Sequence, residues 1–136
     1  MTDRLGWFGN LERKTTENET FRTVLYTGTQ LQLTVMSLQP GEEIGWEMHD
    51  DTDQLLRIEE GEAAVTMGRT KDGADEAHQL KDDFAVIVPA GTWHNVVNTG
   101  KTALKLYSIY SPPEHPDGTV HRTKAEADAA EAEHGH

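Results

Sequence analysis

Apolar residues in this chain fall in short runs, not at helical spacing. The runs at residues 21–27 and 31–38 are rich in β-branched and aromatic side chains and are split at Gly28, which predicts a β-hairpin. Further runs follow at 44–49, 54–59, 63–68, 78–80, 84–88, 93–98 and 103–110. Gly61, Asp72-Gly73, Asp82-Asp83, the Pro89-Ala90-Gly91 turn and Thr99-Gly100 punctuate them. Strands spaced roughly 8–12 residues apart, with no helical run between them, predict an all-β sandwich or barrel. The first 20 residues show no clear period, and Leu5, Trp7, Phe8 and Leu11 are expected to pack as a short arm. Beyond Tyr110, Pro112, Pro113 and Pro116 remove the donors that a sheet ladder needs, so the barrel should end at residue 111. Thr123 and Glu126 have the spacing of a capping box, and the Ala/Glu-rich run after them predicts a short, exposed C-terminal helix. The expected organisation is an arm (1–20), a barrel (21–111), and a Pro-rich tail with a short helix (112–136).

At 136 residues the chain is expected to fold as one domain with one core. No run approaches the roughly 20 apolar residues of a membrane span, and the N-terminus lacks a signal-peptide core, so a cytoplasmic protein is expected. Cysteine is absent, which removes disulfide and thiolate chemistry. A net charge of −12 argues against nucleic acid or an anionic membrane as partner. The expected partner is a small-molecule substrate or ligand.

Four residues stand out as candidate metal ligands: Glu47, His49, Gln54 and His94. Glu47 and His49 are two apart and share a face on a strand. A carboxylate, two imidazoles and an amide oxygen form a mixed N/O set that suits Zn, Mn, Fe, Ni or Co. The plainer alternatives are histidines satisfied by structural hydrogen bonds and, for Gln54, an amide that orients a ligand or water. Trp46 and Trp93 flank these residues and should point away from the cavity. Tyr110 shares the parity of Leu104, Leu106 and Ser108, as a pocket phenol or as a core tyrosine with its hydroxyl bonded. Arg57 is expected in a surface or interface ion pair. His115 and His121 lie in the tail, either solvated or carried on a lid over the barrel mouth. No role is expected for His134 and His136.

The spacing resembles that of the cupin family. The family's first motif runs Gly, five residues, His-x-His, three or four residues, Glu, six residues, Gly. Gly41, Glu47-Met48-His49, Gln54 and Gly61 fit that frame. In the second motif Pro89, Gly91, His94 and Asn98 are in step, with Asp83 where a glycine is expected. Glu47 stands at the family's first His, and Gln54 at its Glu, so the acidic ligand looks relocated. The resemblance implies a double-stranded β-helix (jelly-roll) barrel holding one divalent metal on Glu47, His49, Gln54 and His94. It further implies a small-molecule metalloenzyme of isomerase, lyase or dioxygenase type, with Glu47, Tyr110 and His115 as catalytic candidates. The chain is also similar to small cupins called mannose-6-phosphate isomerase-like. The alternatives are a non-catalytic, metal-dependent module for a small sugar-like ligand and a cupin whose metal is structural. A homodimer is expected, with the strand at 21–27 available for docking.

Overall fold

The computed structural model describes residues 5–133. His134 and His136 lie outside them. In chain order the elements are α1 (Leu11–Glu17), β1 (Arg22–Thr27), β2 (Gln32–Leu38), β3 (Asp53–Glu60), β4 (Ala63–Gly68), β5 (Glu76–Leu80), β6 (Ala85–Val88), β7 (Trp93–Asn98), β8 (Leu104–Ser111), β9 (Val120–His121) and α2 (Lys124–Glu133). Two antiparallel sheets form, one ordered β6-β3-β8-β2-β1-β9 and the other β5-β4-β7. This is the jelly-roll cupin barrel that the resemblance implies.

The inner faces of the sheets meet in one core, which includes Met36, Leu38, Leu56, Ile58, Val65, Val96, Leu104 and Leu106. Cross-strand register explains why one end of the barrel is greasy and the other polar. Leu106 pairs with Met36 on one side and Ile58 on the other; two residues along, Ser108 pairs with Thr34 and Leu56; two further, Tyr110 pairs with Gln32 and Gln54. All nine side chains are buried. Alternation puts every second residue on the inner face, so β8 passes from core leucines to a polar mouth within eight residues.

Four expectations are corrected. The arm does not pack through all four of its apolar residues, since Leu5 and Phe8 are exposed, and it contains helix α1, because the Asn10 side chain caps it by accepting from the Arg13 N–H at 3.0 Å and Thr15 is buried. Residues 44–49 do not form a continuous strand. Only Glu43 and Glu47 make ladder bridges, to Val97 and His94, and Gly45 between them has φ +115°, which no regular strand contains. The tail does not simply leave the sheet: β9 returns to pair with β1 at Arg22 and Thr23, and so covers the first part of the edge at 21–27. Helix α2 is not merely exposed either, since Ala127 packs into the core cluster. Its start is as expected, with Thr123 Oγ1 accepting from the Glu126 N–H at 3.1 Å.

Asp83 has φ +72°. The chain therefore keeps at this position the left-handed turn for which the family uses glycine, and aspartate tolerates it better than most residues. The Asp83 carboxylate lies 3.2 Å from Arg57 Nη2, which places Arg57 in a surface ion pair.

Candidate metal centre

Residues 43–49 are held against β7 by backbone bonds despite their irregular path. The Glu47 N–H donates to His94 O at 3.0 Å, and the His94 N–H returns to Glu47 O at 2.8 Å. The Gly91 N–H reaches His49 O at 2.8 Å, which fixes the Pro89-Ala90-Gly91 turn beside the histidine. Two segments far apart in sequence thus deliver Glu47, His49 and His94 to one point. Their ligand atoms all lie within 4.8 Å of one another. Glu47 Oε2 is 3.4 Å from His49 Nε2 and 3.7 Å from His94 Nε2.

Both imidazoles are oriented from behind. His94 Nδ1 lies 3.0 Å from the Thr92 carbonyl, which can only accept, so Nδ1 carries the proton and Nε2 presents a lone pair. His49 Nδ1 lies 3.2 Å from Glu114 Oε2, which holds a proton on Nδ1 and leaves Nε2, facing Glu47, as the nitrogen from which a metal would displace the second proton. A carboxylate behind a histidine is the arrangement that raises ligand basicity at metal sites.

The buried atoms without a hydrogen-bond partner include His49 Nε2, His94 Nε2 and Gln54 Oε1. Native structures rarely leave such atoms unpaired, and a cation at the point where Glu47, His49 and His94 converge would satisfy both imidazoles. Gln54 lies on β3, buried, with its amide nitrogen 3.4 Å from Ser108 Oγ. The donor set thus fits the divalent ion that the fold implies.

The electrostatics agree. Burial opposes charge on both Glu47 and His49, yet each holds the other charged. Glu47 lies below its ordinary value because His49 and His94 outweigh burial. Burial alone would lower His49, but Glu114 and Glu47 push it up to about 10. Burial keeps His94 below its ordinary value and therefore neutral. Without metal, a proton on His49 serves as the cation between two carboxylates.

The tail completes the mouth. Gln32, fully buried, donates to His115 O at 2.7 Å and accepts from the backbone N–H groups of Glu114 and His115. His115 and His121 line the same cavity as Glu47 and His49, as do Ala127 and Ala130 of α2. Trp46 and Trp93, expected to point away from the cavity, instead line a second cavity of about 500 Å³ that also reaches Glu47 and His49; they stack on each other, ring centroids 6.1 Å apart, and the Trp46 indole N–H donates to Lys71 O.

Tyr110 is buried with its hydroxyl 3.4 Å from His115 Nε2. Burial pushes the phenol up to about 12. A phenol held neutral in the fold, but ionising near 10 when unfolded, stabilises the fold fully below pH 10. That contribution disappears as pH rises from about 10 to about 12, and amounts to roughly 2–3 kcal/mol. Denaturant melts at pH 9 and 11.5 should show the wild type losing about 2 kcal/mol more stability than Tyr110→Phe, since pH 11.5 still lies below the folded value. Equal losses would count against the buried neutral phenol.

The sequence nominated Glu47, His49, Gln54 and His94, and the first, second and fourth converge as expected. It passed over Glu114, Gln32 and Arg22. Glu114 sits in a proline-rich segment without periodicity, so no local pattern marked it.

Residues 34–110 match the family model described as a cupin domain. An uncharacterized Bacillus subtilis protein (YrkC) is 59% identical over 122 residues, covering 90% of this chain and 66% of that protein. An uncharacterized protein of Acanthamoeba polyphaga mimivirus is 43% identical over 112 residues, covering 82% of this chain and 68% of the viral one. The chain therefore spans about two thirds of the length of these relatives. A crystal structure of a Bacillus halodurans protein superposes with a TM-score of 0.89 at 54% identity, covering 90% of this chain and 93% of that one. KdgF from Halomonas sp. shares the fold alone, at 19% identity and a TM-score of 0.60, over 68% of this chain and 78% of that one. With the motif frame, the barrel and the family match in agreement, the chain belongs to the cupin family.

Proposed function

We propose that this cupin is a divalent-metal enzyme for a small molecule, with Glu47, His49, Gln54 and His94 as the metal ligands. The observation that carries this reading is the convergence of Glu47, His49 and His94 on one point, with the buried His94 Nε2 and, on β3, the buried Gln54 Oε1 left without hydrogen-bond partners. When bound, the ion would polarise a carbonyl or hydroxyl, or lower the pKa of a bound water. The residues of the chain supply the rest. Glu114 and the Thr92 carbonyl hold the imidazoles in the tautomers that coordinate. Tyr110, kept neutral by burial, is a hydrogen-bond donor beside His115. Burial of His94, Gln54 and Tyr110 lowers the local dielectric and strengthens the polar contacts those side chains make.

The family match is to cupins as a class, so isomerase, lyase and dioxygenase chemistries are to be separated by assay. Elemental analysis of protein purified without added metal should find close to one divalent ion per chain. A substrate screen with that ion restored then distinguishes an enzyme from a binding module. Protein that binds none of Zn, Mn, Fe, Co or Ni would refute the proposal.

Glu114 provides a graded test. Glu114→Ala removes the carboxylate behind His49 and should weaken metal affinity roughly 10–100-fold without loss of fold. Competition with a chromogenic chelator measures it, and an unchanged affinity would show that Glu114 does not support the centre.

A further inference from the structure

The cavity beside the metal centre contains a cation that the metal reading does not use. Arg22, on β1, is only 7% exposed. Its Nη1 lies 3.2 Å from His121 Nδ1, and its Nε is buried with no hydrogen-bond partner. Among the described residues no carboxylate comes within ion-pair distance of it, and the Glu47 carboxylate, on the same cavity, feels its charge only from further off. The Phe21 ring, centred 5.3 Å from the guanidinium carbon, offers a π face but no counter-charge. Buried guanidinium groups are normally paired, because an uncompensated charge away from water is costly.

Strand β9 exists in register for this contact, since Arg22 and His121 are direct partners in the β1–β9 ladder. Arg22 can only donate, so His121 Nδ1 accepts and the ring proton sits on Nε2. Burial and the Arg22 charge both lower the His121 pKa, which keeps this imidazole neutral. Arg22 and His121 wall a cavity of about 120 Å³ together with Glu47, His49 and Glu114. That space suits on the order of four to nine heavy atoms.

We propose that this cavity takes a small molecule bearing a carboxylate, which Arg22 and His121 receive while the remainder of the molecule reaches the Glu47–His49 side. The proposal names the substrate class for the metal centre; it rests on that reading for the reaction but not for binding of the anion. A guanidinium matches a carboxylate in geometry and charge. Glu47, Glu114 and Glu131 share the cavity, so a monoanionic carboxylate is favoured over a phosphate dianion.

The test is an NMR titration of the full-length, ¹⁵N-labelled chain, metal-free and zinc-loaded, with lactate, neutral lactamide and inorganic phosphate. Lactate should shift the Arg22 Nε–H resonance to saturation, and lactamide should not. Arg22→Gln should weaken lactate binding at least tenfold with metal content unchanged. An Arg22 resonance indifferent to lactate, equal lactate binding by Arg22→Gln, or phosphate binding tighter than lactate would each overturn the proposal. If Arg22→Gln fails to fold, the wild-type titration decides alone. Metal content is measured separately, so a protein that takes up no metal but shows the Arg22 shift would refute the metal centre and support the carboxylate site.

Discussion

Replacing His94 with alanine should strip the metal from the protein. His94 is 1% exposed, its Nδ1 is engaged by the Thr92 carbonyl, and its Nε2 has no partner other than the shared site. Apparent binding energies of structural zinc are roughly 10–16 kcal/mol over four ligands, so one imidazole accounts for about 3 kcal/mol, or a hundredfold or more in affinity. Metal content should fall from about one ion per chain to below ~0.1 after dialysis. The stability consequence follows from mass action. Saturation at 100 times the dissociation constant adds about 2.7 kcal/mol, which for a chain of this size is a melting-temperature difference of roughly 10 °C. Chelator should therefore lower the wild-type melting temperature by about that amount and leave His94→Ala unmoved. A wild type whose melting temperature ignores both chelator and added metal would refute the centre. Because that arm uses unmutated protein, misfolding of the variant cannot imitate the result.

Leu106→Ala should cost about 2–5 kcal/mol of stability. Leu106 is fully buried in the middle of β8, between Met36 and Ile58 across the ladders, and belongs to the core that joins the two sheets. Truncation opens a cavity in the barrel floor, with strands hydrogen-bonded on both sides that cannot collapse into it. Denaturant unfolding measures the change. A loss below ~1 kcal/mol would mean that the core there relaxes freely. Metal affinity in the folded variant should be almost unchanged, because Ser108 and a further turn of the side-chain alternation separate Leu106 from the Tyr110–Gln54 row. Comparing the two variants separates the parts of the barrel: one end holds the fold together and the other holds the ligand.

Most of the barrel was legible in the chain because strand pairing leaves local marks. The alternation of Leu104, Leu106, Ser108 and Tyr110 states which residues share a face, and glycine and proline turns state where each strand stops. The segment 44–49 misled because its apolar and polar residues alternate through Gly45, whose positive φ interrupts the strand while bonds to β7 still carry Glu47 and His49 to the site. Helix α1 was missed because seven residues are too few to display a helical period, and its cap is a single asparagine.

Local pattern was enough to read the class of fold, the candidate ligands Glu47, His49, Gln54 and His94, and the polar change at residue 111. Each is set by neighbours within a few residues or by a motif of short spacing. Tertiary structure alone decided that Glu114 stands behind His49, that Gln32 clamps the tail, and that His121 returns beside Arg22. These pairings join positions 65 to 99 residues apart. Nothing in the local pattern of either partner encodes the other. Only closing the sheets and pairing β9 with β1 brings the tail to the mouth, and with it the carboxylate, the amide and the buried cation that shape the site.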